Sequence, residues 1–422
     1  MSIFSKKKIK DFFIYGLGQA INIVSPLLIL PYIILICGEE GLGKVGVGMS
    51  LALIISGIVD YGSYINGVKD ISINRANPAI LAHHFSAIYF SKFILLIIIG
   101  SFFCFFIQVI PFFAEDKLLY YLSFFIVIGQ VINPTWFFQG VENFKMISFI
   151  NVSSKLIYIA FVFCMVKESA DFIYVNLFLG IGAIIGNTLG LLWLIKRYSF
   201  SLTSFQLKPA LHIIRSEFSF SVSQLFNSIY QYSPILVISY VAGDFIAGQF
   251  KVIDQVISIL KTYLNMFFYF VYANICLEIS KELKRGIKVW KQYNGLNFIF
   301  LGVLLLLFFY QAELILSYFK IDPKNLTTTV FYFKIGLAVP FLVSISLPLR
   351  QLMFAFNENK IYIKITMITT LLNFICLLLF TKYFGLQGAF LSIISIEIIV
   401  IFAYYLILFK YFKGFRPFQH AN

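Results

Sequence analysis

The sequence predicts an all-α integral membrane protein with twelve transmembrane helices, arranged as two parallel six-helix pseudo-repeats around a central cavity. Three observations support this class. The chain of 422 residues is 60% hydrophobic and 12% charged, with a mean hydropathy of +0.89, whereas soluble domains carry about 25% charged residues. Long apolar segments recur along the whole chain, and the second half repeats polar and glycine positions of the first.

The apolar segments define the predicted spans. A helix needs about 20 mostly apolar residues to cross a bilayer. We number the segments that meet this requirement as spans 1 to 12: 11–36, 45–67, 85–110, 118–140, 147–166, 172–195, 217–242, 247–275, 294–316, 328–355, 361–380 and 387–409. Span 1 follows a lysine-rich stretch and lacks a small-residue cleavage site at the right distance, so we expect it to be retained rather than removed as a signal peptide.

Basic residues mark the predicted sides of the membrane. Twenty lysines and arginines lie at the two termini and in the even-numbered connections, against six in the odd-numbered connections. Because cytoplasmic loops carry an excess of basic residues, both termini are expected to be cytoplasmic. The net charge of +14 is then a consequence of membrane topology, and nucleic acid is not an expected partner.

A shift of 205 residues aligns the two halves of the chain. Several positions keep their residue type at this shift, among them Gln19 with Gln224, Asn22 with Asn227, and Gly38 with Gly243. Each half contains an even number of spans, so both halves have the same orientation, as in the parallel repeats of many transporters. We therefore expect two lobes, residues 1–210 and 211–422.

Span 8 carries a polar stripe that is unsuited to lipid. At about 100° per residue, seven polar side chains fall within roughly 120° of one another: Lys251, Asp254, Gln255, Ser258, Lys261, Thr262 and Asn265. A charged side chain at the bilayer centre costs about 2.5–3.5 kcal/mol on insertion scales, so this stripe is expected to face protein or water. Lys261 lies nearest the middle of the span and is the strongest candidate for ligand contact.

Other polar residues inside the spans extend the candidate site. The further candidates for lining the cavity are amides and cations: Gln19, Asn22, Gln224, Asn227, Gln231, Lys334 and Arg350. Three acids are candidates for coupling to a proton or a sodium ion: Asp60, Asp254 and Glu397. No catalytic residue, metal site or cofactor is expected, because the five cysteines and four histidines lack ligand spacing.

Each charge also has a structural alternative. Three lysines could direct their ammonium groups towards the membrane surface: Lys92, Lys251 and Lys334. Asp254 and Lys261 lie on one face of the helix, seven residues and roughly 10 Å apart along its axis, and a structural ion pair between them within the bundle is the alternative. Asp60 and Glu397 are isolated acids in the sequence and could be protonated and hydrogen-bonded to a neighbouring helix.

The end of span 4 carries a distinctive motif. Pro134 is expected to break the helix, and Trp136 is expected to anchor the chain at the membrane interface. The motif reads Asn133-Pro134-Thr135-Trp136-Phe137-Phe138-Gln139-Gly140. It resembles the Asn-Pro-x-Trp-x-x-Gln-Gly signature of bacterial O-antigen and capsule repeat-unit flippases, which are polysaccharide transporters of the multidrug/oligosaccharidyl-lipid/polysaccharide superfamily.

Two further stretches bear on this resemblance. The run Gly38-Glu39-Glu40-Gly41-Leu42-Gly43 is similar to the same family. Asp60-Tyr61-Gly62 also matches, but the Thr-Arg-Glu type of sequence that usually follows is replaced by Gly67-Val68-Lys69-Asp70-Ile71. This chain lacks the arginine of that sequence, so no residue here corresponds to it and its role in the family cannot be transferred to this protein.

The resemblance implies a flippase in the bacterial inner membrane. Its substrate would be an undecaprenyl-diphosphate-linked oligosaccharide repeat unit, moved from the cytoplasmic to the periplasmic leaflet by alternating access. The cations would contact the diphosphate, and the amides would contact sugar hydroxyls. Membrane lipid, a glycan polymerase and a chain-length regulator would be partners. An ion-coupled drug or cation antiporter of the same superfamily, and a membrane glycan polymerase or ligase, are the alternative functions.

Overall fold

The computed structural model describes residues 6–61, 63, 67–200 and 207–412, and this part of the chain folds into helices without a β-strand. The α-helices, numbered in chain order, are α1 (Lys6–Asp60), α2 (Val68–Ile73), α3 (Pro78–Val109), α4 (Lys117–Ile132), α5 (Thr135–Gly140), α6 (Phe144–Met165), α7 (Phe172–Tyr198), α8 (Leu207–Ser216), α9 (Phe218–Ala242), α10 (Asp244–Lys281), α11 (Leu283–Tyr310), α12 (Ala312–Ser317), α13 (Pro323–Gly336), α14 (Ala338–Ala355) and α15 (Asn359–Phe412). Two short 3₁₀ turns, Pro111–Phe113 and Ser169–Asp171, precede α4 and α7.

The helices agree with the predicted class of membrane protein. In the described part of the chain, nine helical segments are long and apolar enough to cross a bilayer. Two of them, within α1 and α15, are each interrupted by a glycine with non-helical backbone angles, Gly38 and Gly385. Each of these two segments therefore contains two predicted spans. The predicted span 7 corresponds to α9, which is helical and is not among the nine.

Several helices extend beyond the predicted spans. α3 begins at Pro78 rather than at residue 85, and the Asn77 side chain caps it by accepting from the Ile80 N–H at 3.3 Å. α10 continues to Lys281, beyond the predicted end at residue 275. Hydropathy locates the apolar part of a helix, whereas caps and breaking residues determine where its backbone ends.

The chain divides into two compact units, Met1–Leu236 and Val237–Asn422. The boundary lies inside α9, whereas the sequence predicts a lobe boundary between residues 210 and 211, before this helix. The assignment of the whole of α9 to a C-terminal lobe stays a prediction.

In the first unit, α4 and α7 pack with their backbones close together. A Cβ atom at Gly180 would lie 2.6 Å from the carbonyl carbon of Phe125, and one at Gly129 would lie 2.8 Å from the Cβ of Ala183. The Asn187 amide donates to the Gly129 carbonyl at 2.7 Å. Small residues allow this approach, which is a common means of helix association in membranes.

In the second unit, α10, α14 and α15 surround an apolar core. The buried residues of this core are Val271, Ile275, Ile279, Leu352, Met353, Phe356, Tyr404 and Leu408. α11 joins it through the Trp290 indole, which donates to the Pro348 carbonyl at 3.1 Å. Asn294 of α11 also donates to the Gln351 side chain at 3.0 Å, and Gln351 donates to the Phe268 carbonyl at 3.2 Å. Polar contacts thus position α10, α11 and α14 against one another.

Two structural features recur at the 205-residue repeat distance. Gly38 and Gly243 both precede a helix with positive φ, at 74° and 89°, and with extended ψ, at 176° and 164°. The side chains of the repeated amide pairs also make the same hydrogen bond. Asn22 donates to Gln19 at 3.1 Å, and Asn227 donates to Gln224 at 3.3 Å.

Candidate functional site

The polar stripe of span 8 lies on the less buried side of α10. Six apolar residues of this helix are at most 3% exposed: Val252, Ile253, Val256, Ile257, Leu260 and Leu264. The polar residues between them are half-buried, and Asn265 is exposed. The helix therefore packs through its apolar face and leaves the polar stripe less covered.

The charges on this stripe do not neutralise one another fully. Asp254 interacts electrostatically with Lys251, one helical turn before it. In the described part of the chain, no carboxylate lies within 4 Å of the Lys261 ammonium, so the alternative of an Asp254–Lys261 ion pair is wrong for this structure. Ser258 and Thr262 direct their hydroxyls to carbonyls of their own helix. Among the described residues, the Lys261 ammonium therefore has no carboxylate within ion-pair distance.

Arg350 of α14 lies next to the same part of α10. Its Nη2 donates to Asn265 Oδ1 at 3.5 Å, and the Asn265 amide donates to the Lys261 carbonyl at 3.0 Å. The Arg350 guanidinium lies over the Phe268 ring, 5.0 Å from its centroid. Its Nε is buried and has no hydrogen-bond acceptor among the described residues. We call these residues the α10–α14 cation cluster: Asn265, Phe268 and Arg350, which are in contact, and Lys261, one helical turn before Asn265.

Lys334 and Glu397 occupy other surroundings in the second unit. The Lys334 ammonium lies over the Phe309 ring, 4.8 Å from its centroid, and no described contact joins it to the α10–α14 cation cluster. Glu397 of α15 is buried and accepts a hydrogen bond from the Ser346 hydroxyl of α14. It is therefore engaged with a neighbouring helix, as one of the alternatives predicts.

The first unit contains a buried ion pair that the sequence did not reveal. The Lys92 ammonium of α3 lies 3.0 Å from Asp60 Oδ1, and the Gln130 amide of α4 donates to Asp60 Oδ2 at 2.7 Å. Lys92 is 0% exposed. The alternative that Lys92 extends to the membrane surface is therefore wrong, and Asp60 is not an isolated acid.

This ion pair is connected to the motif at the end of span 4. The Asn133 amide donates to the Gln130 side chain at 3.3 Å, and Asn133 Oδ1 accepts from the Thr135 N–H at 3.0 Å. The helix breaks at this point, since α4 ends at Ile132 and α5 starts at Thr135. The prediction that Pro134 interrupts the helix is confirmed. Gln130, a polar residue inside an apolar span, is the signal that could have identified this network.

Trp136 is buried rather than interfacial. It is 0% exposed and belongs to an apolar cluster with Phe85, Tyr89 and Phe137. The expectation that it anchors the chain at the membrane interface is wrong, because α5 packs against α2 and α6 and encloses the indole. The motif is therefore part of the packed interior of the first unit.

The amide candidates lie on α1 and α9. Gln19 and Asn22 are half-buried on α1, whereas Gln224 and Gln231 are exposed on α9. The hydrogen bond inside each repeated pair holds the two amides side by side. Each pair presents a compact group of donors and acceptors, which suits hydroxyl-rich ligands.

The fold of this chain is similar to the folds of two solved proteins. The structure matches that of a solved protein described as lipid II flippase MurJ in an inward closed conformation, with a TM-score of 0.74 and 12% identity over 94% of this chain and 87% of that one. It also matches an inward-facing multidrug resistance MATE family transporter of the MOP superfamily, with a TM-score of 0.70 and 14% identity over 94% of this chain and 95% of that one. The chain therefore shares the helical fold of these two solved proteins.

The chain itself belongs to the polysaccharide biosynthesis protein family, whose profile matches residues 9–272. It is 21% identical over 383 residues to an Escherichia coli K12 protein described as "Putative O-antigen transporter", covering 90% of this chain and 92% of that protein. A Shigella dysenteriae protein with the same description is 21% identical over 402 residues, covering 93% and 98%. The family resemblance inferred from the motif is confirmed.

Proposed function

We propose that this protein is a flippase that moves an undecaprenyl-diphosphate-linked oligosaccharide repeat unit from the cytoplasmic to the periplasmic leaflet of the bacterial inner membrane. Membership of the polysaccharide biosynthesis family supports this function. So do the two relatives described as O-antigen transporters and the fold shared with a lipid II flippase. A glycan polymerase and a chain-length regulator would receive the product.

The α10–α14 cation cluster is the observation that carries the proposal. A lipid diphosphate presents several anionic oxygens, and ionised donors form the stronger hydrogen bonds to such oxygens. Lys261 contributes an ammonium without a carboxylate within 4 Å in the described chain, and Arg350 contributes a guanidinium held against Phe268. Arg350 suits bidentate recognition of phosphate, whereas Lys261 acts as a point charge.

The repeated amide pairs would recognise the sugars. Gln19 with Asn22, and Gln224 with Asn227, each combine carbonyl acceptors with NH₂ donors. Sugar hydroxyls are both donors and acceptors, so an amide can satisfy them in either direction. This recognition tolerates different repeat units, since no single hydroxyl position is required by an amide pair.

Alternating access is the mechanism that we propose for the transport step. Solved proteins of this fold include a MATE family transporter in inward-facing and outward-facing conformations. Asp60, Asp254 and Glu397 stay the candidates for ion coupling, with Asp60 in this structure already occupied by Lys92 and Gln130. Both termini would lie in the cytoplasm, as the distribution of basic residues predicts.

An ion-coupled drug or cation antiporter is the second candidate, because the fold is shared with multidrug transporters. A cationic drug would be repelled by Lys261 and Arg350, whereas an anionic diphosphate would be attracted. The charge of the cluster therefore favours the flippase.

The test is a gene disruption in a strain without a redundant flippase. Loss of the protein should remove surface glycan and leave its lipid-linked repeat units in the cytoplasmic leaflet. Complementation with Lys261→Ala should be weaker than with wild type by roughly 10- to 100-fold in transport rate, because a hydrogen bond to a charged group contributes about 1.5–3 kcal/mol. Lys261→Arg should retain more activity than Lys261→Ala, because it keeps the charge.

Lys324→Ala is the matched control, since Lys324 is an exposed lysine in the first turn of α13. It should complement like the wild type. Unchanged surface glycan and unchanged lipid-linked intermediates after disruption would refute the proposed function. Full transport activity of Lys261→Ala would show that Lys261 is not part of the substrate site. If the protein restored efflux of cationic drugs in a sensitive strain, that result would support the antiporter instead.

A further inference from the structure

The start of α11 carries a concentration of basic residues that the proposed transport site does not use. Lys284, Lys288 and Lys291 follow one another at spacings of four and three residues, which places them on one face of the helix. All three side chains are exposed. We call them the α11 lysine face.

Glu278 of α10 forms ion pairs with two neighbouring cations and with none of the three lysines of this face. Its carboxylate lies 3.1 Å from the Lys281 ammonium and 2.7 Å from the Arg285 Nε. Within the described part of the chain, no carboxylate lies within 4 Å of Lys284, Lys288 or Lys291. Lys281 and Arg285 are therefore paired with a carboxylate, whereas the three lysines of the α11 lysine face have no carboxylate partner among the described residues.

The three lysines line an open cleft together with Ile287 and Gln292, and the cleft has a volume of about 430 Å³. Ile287 lines the cleft and also packs against the apolar core of the second unit. Three ammonium groups around one cleft attract an anionic group, and they repel one another when it is empty. The cleft therefore suits a phosphate-bearing headgroup.

The same helix face becomes apolar and open immediately beyond the lysines. At about 100° per residue, Gly295, Ile299, Gly302 and Leu306 all fall within roughly 80° of the lysine direction. Ile299 and Leu306 are 65% and 58% exposed. A Cβ atom at Gly295 or at Gly302 would meet no atom of the described chain within 4 Å, apart from the adjacent backbone of α11. The glycines thus leave an open strip between exposed apolar side chains, in line with the cleft, which we call the groove.

The length of this face matches a lipid chain. From Lys291 to Leu306 the helix rises about 22 Å, which exceeds half of the roughly 30 Å hydrocarbon core of a bilayer. A soluble phosphate could use the cleft but not the groove, whereas a zwitterionic lipid could use the groove but would gain little from three unpaired cations. Charge and apolar surface together specify a lipid with an anionic headgroup.

We propose that the α11 lysine face and its groove form a binding site for an anionic phospholipid, with the phosphate between the lysines and one acyl chain along Gly295 and Gly302. This site is separate from the residues of the proposed transport site, and it does not depend on the transport function. Its occupant is a resident lipid of the membrane and not the transported substrate.

The experiment measures lipids bound to the purified full-length protein by native mass spectrometry, with phosphatidylglycerol and phosphatidylcholine of the same chain length as probes. Wild type should retain phosphatidylglycerol over phosphatidylcholine. The variant Lys284→Gln/Lys288→Gln/Lys291→Gln should bind phosphatidylglycerol at least about tenfold more weakly, because each basic residue near an anionic membrane surface is worth about 1 kcal/mol. Size-exclusion chromatography and thermal unfolding should show that this variant stays folded.

Two matched variants separate a specific site from general electrostatics. Lys196→Gln/Arg197→Gln/Lys208→Gln removes the same number of exposed positive charges elsewhere, and it should keep phosphatidylglycerol affinity within about twofold of wild type. Gly302→Leu should weaken binding of long-chain phosphatidylglycerol by filling the groove while leaving every lysine in place. Inorganic phosphate in excess should displace little lipid.

Three results would overturn the proposal. Equal losses in the two triple variants would show that net charge alone controls lipid binding. Complete displacement by inorganic phosphate would show that the cleft binds a free anion without using the groove. Unchanged phosphatidylglycerol binding in the α11 variant, with loss of undecaprenyl diphosphate binding, would assign the lysines to the transported lipid.

Discussion

The ammonium of Lys92 lies 3.0 Å from the carboxylate of Asp60, and the two side chains are only 1% and 19% exposed. Gln130 satisfies the second carboxylate oxygen. An ion at Asp60 would therefore have to displace an internal cation. The pair connects α1, α3 and α4, and through Asn133 it reaches the motif that is typical of the family.

Breaking this pair should destabilise the protein more than removing both partners. Lys92→Met alone leaves a buried carboxylate without its cation, and a buried ion pair that loses one partner typically costs about 3–5 kcal/mol. The double variant Asp60→Asn/Lys92→Met should recover a large part of that loss. Thermal unfolding of the purified protein in detergent measures the difference. The control is Lys145→Met, at an exposed lysine of α6, which should unfold like the wild type. Equal stability of Lys92→Met and of the double variant would argue against a coupled pair.

The geometry of Arg350 should matter beyond its charge. Arg350→Lys keeps the positive charge but loses the planar contact with Phe268 and the hydrogen bond to Asn265. We expect transport to fall by roughly tenfold, since loss of about 1.4 kcal/mol in the substrate complex corresponds to that factor. Vesicle transport of a lipid-linked oligosaccharide is the measurement. The control is Arg215→Lys, at an exposed arginine of α8, which should keep full activity. Full activity of Arg350→Lys would show that the positive charge alone is sufficient for transport.

Gly140, the last residue of the motif at the end of span 4, should not tolerate a side chain. A Cβ at Gly140 would lie 2.6 Å from Ile71 Cγ2 and 3.1 Å from the Val68 carbonyl oxygen. Gly140→Ala should therefore push α5 away from α2 and destabilise the protein by about 1–3 kcal/mol, the usual cost of overpacking. Thermal unfolding measures this effect. Gly16→Ala is the control, because no neighbouring atom of the described residues lies within 4 Å of its Cβ position. An unchanged melting temperature for Gly140→Ala would contradict the predicted clash.

The repeated glycines Gly38 and Gly243 should be conformational requirements rather than packing requirements. Neither has an atom within 4 Å of its Cβ position, yet both have positive φ with extended ψ, a region that is essentially restricted to glycine. Alanine at either position should cost about 1–3 kcal/mol. Gly295→Ala, in the interior of α11, should cost nothing measurable or stabilise slightly. Thermal unfolding of the three variants tests this, and a stable Gly243→Ala protein would mean that the helix start can adopt another backbone conformation.

The fold followed from the sequence more completely than the candidate site did. Hydropathy depends on local composition, so the apolar segments could be placed from the sequence alone. Whether Lys92 extends to the surface or pairs with Asp60 depends on how α3 lies against α1, and this packing has no local signal. Helical spacing placed Asp254 and Lys261 on one face, but roughly 10 Å of axial rise is too far for them to pair in this structure. Trp136 has the side chain of an interfacial anchor, and only the packing of α5 shows that it is buried.

The helix interruptions at Gly38 and Gly385 also determine where a tag can be inserted into the chain. At Gly38 and Gly385, one residue with non-helical angles separates two long helices, so the two helices are joined without a loop. An epitope tag or a protease site inserted there would have to unwind a helix on one side or the other. Labels for topology mapping belong instead in true connections, such as the exposed residues around Glu168 between α6 and α7.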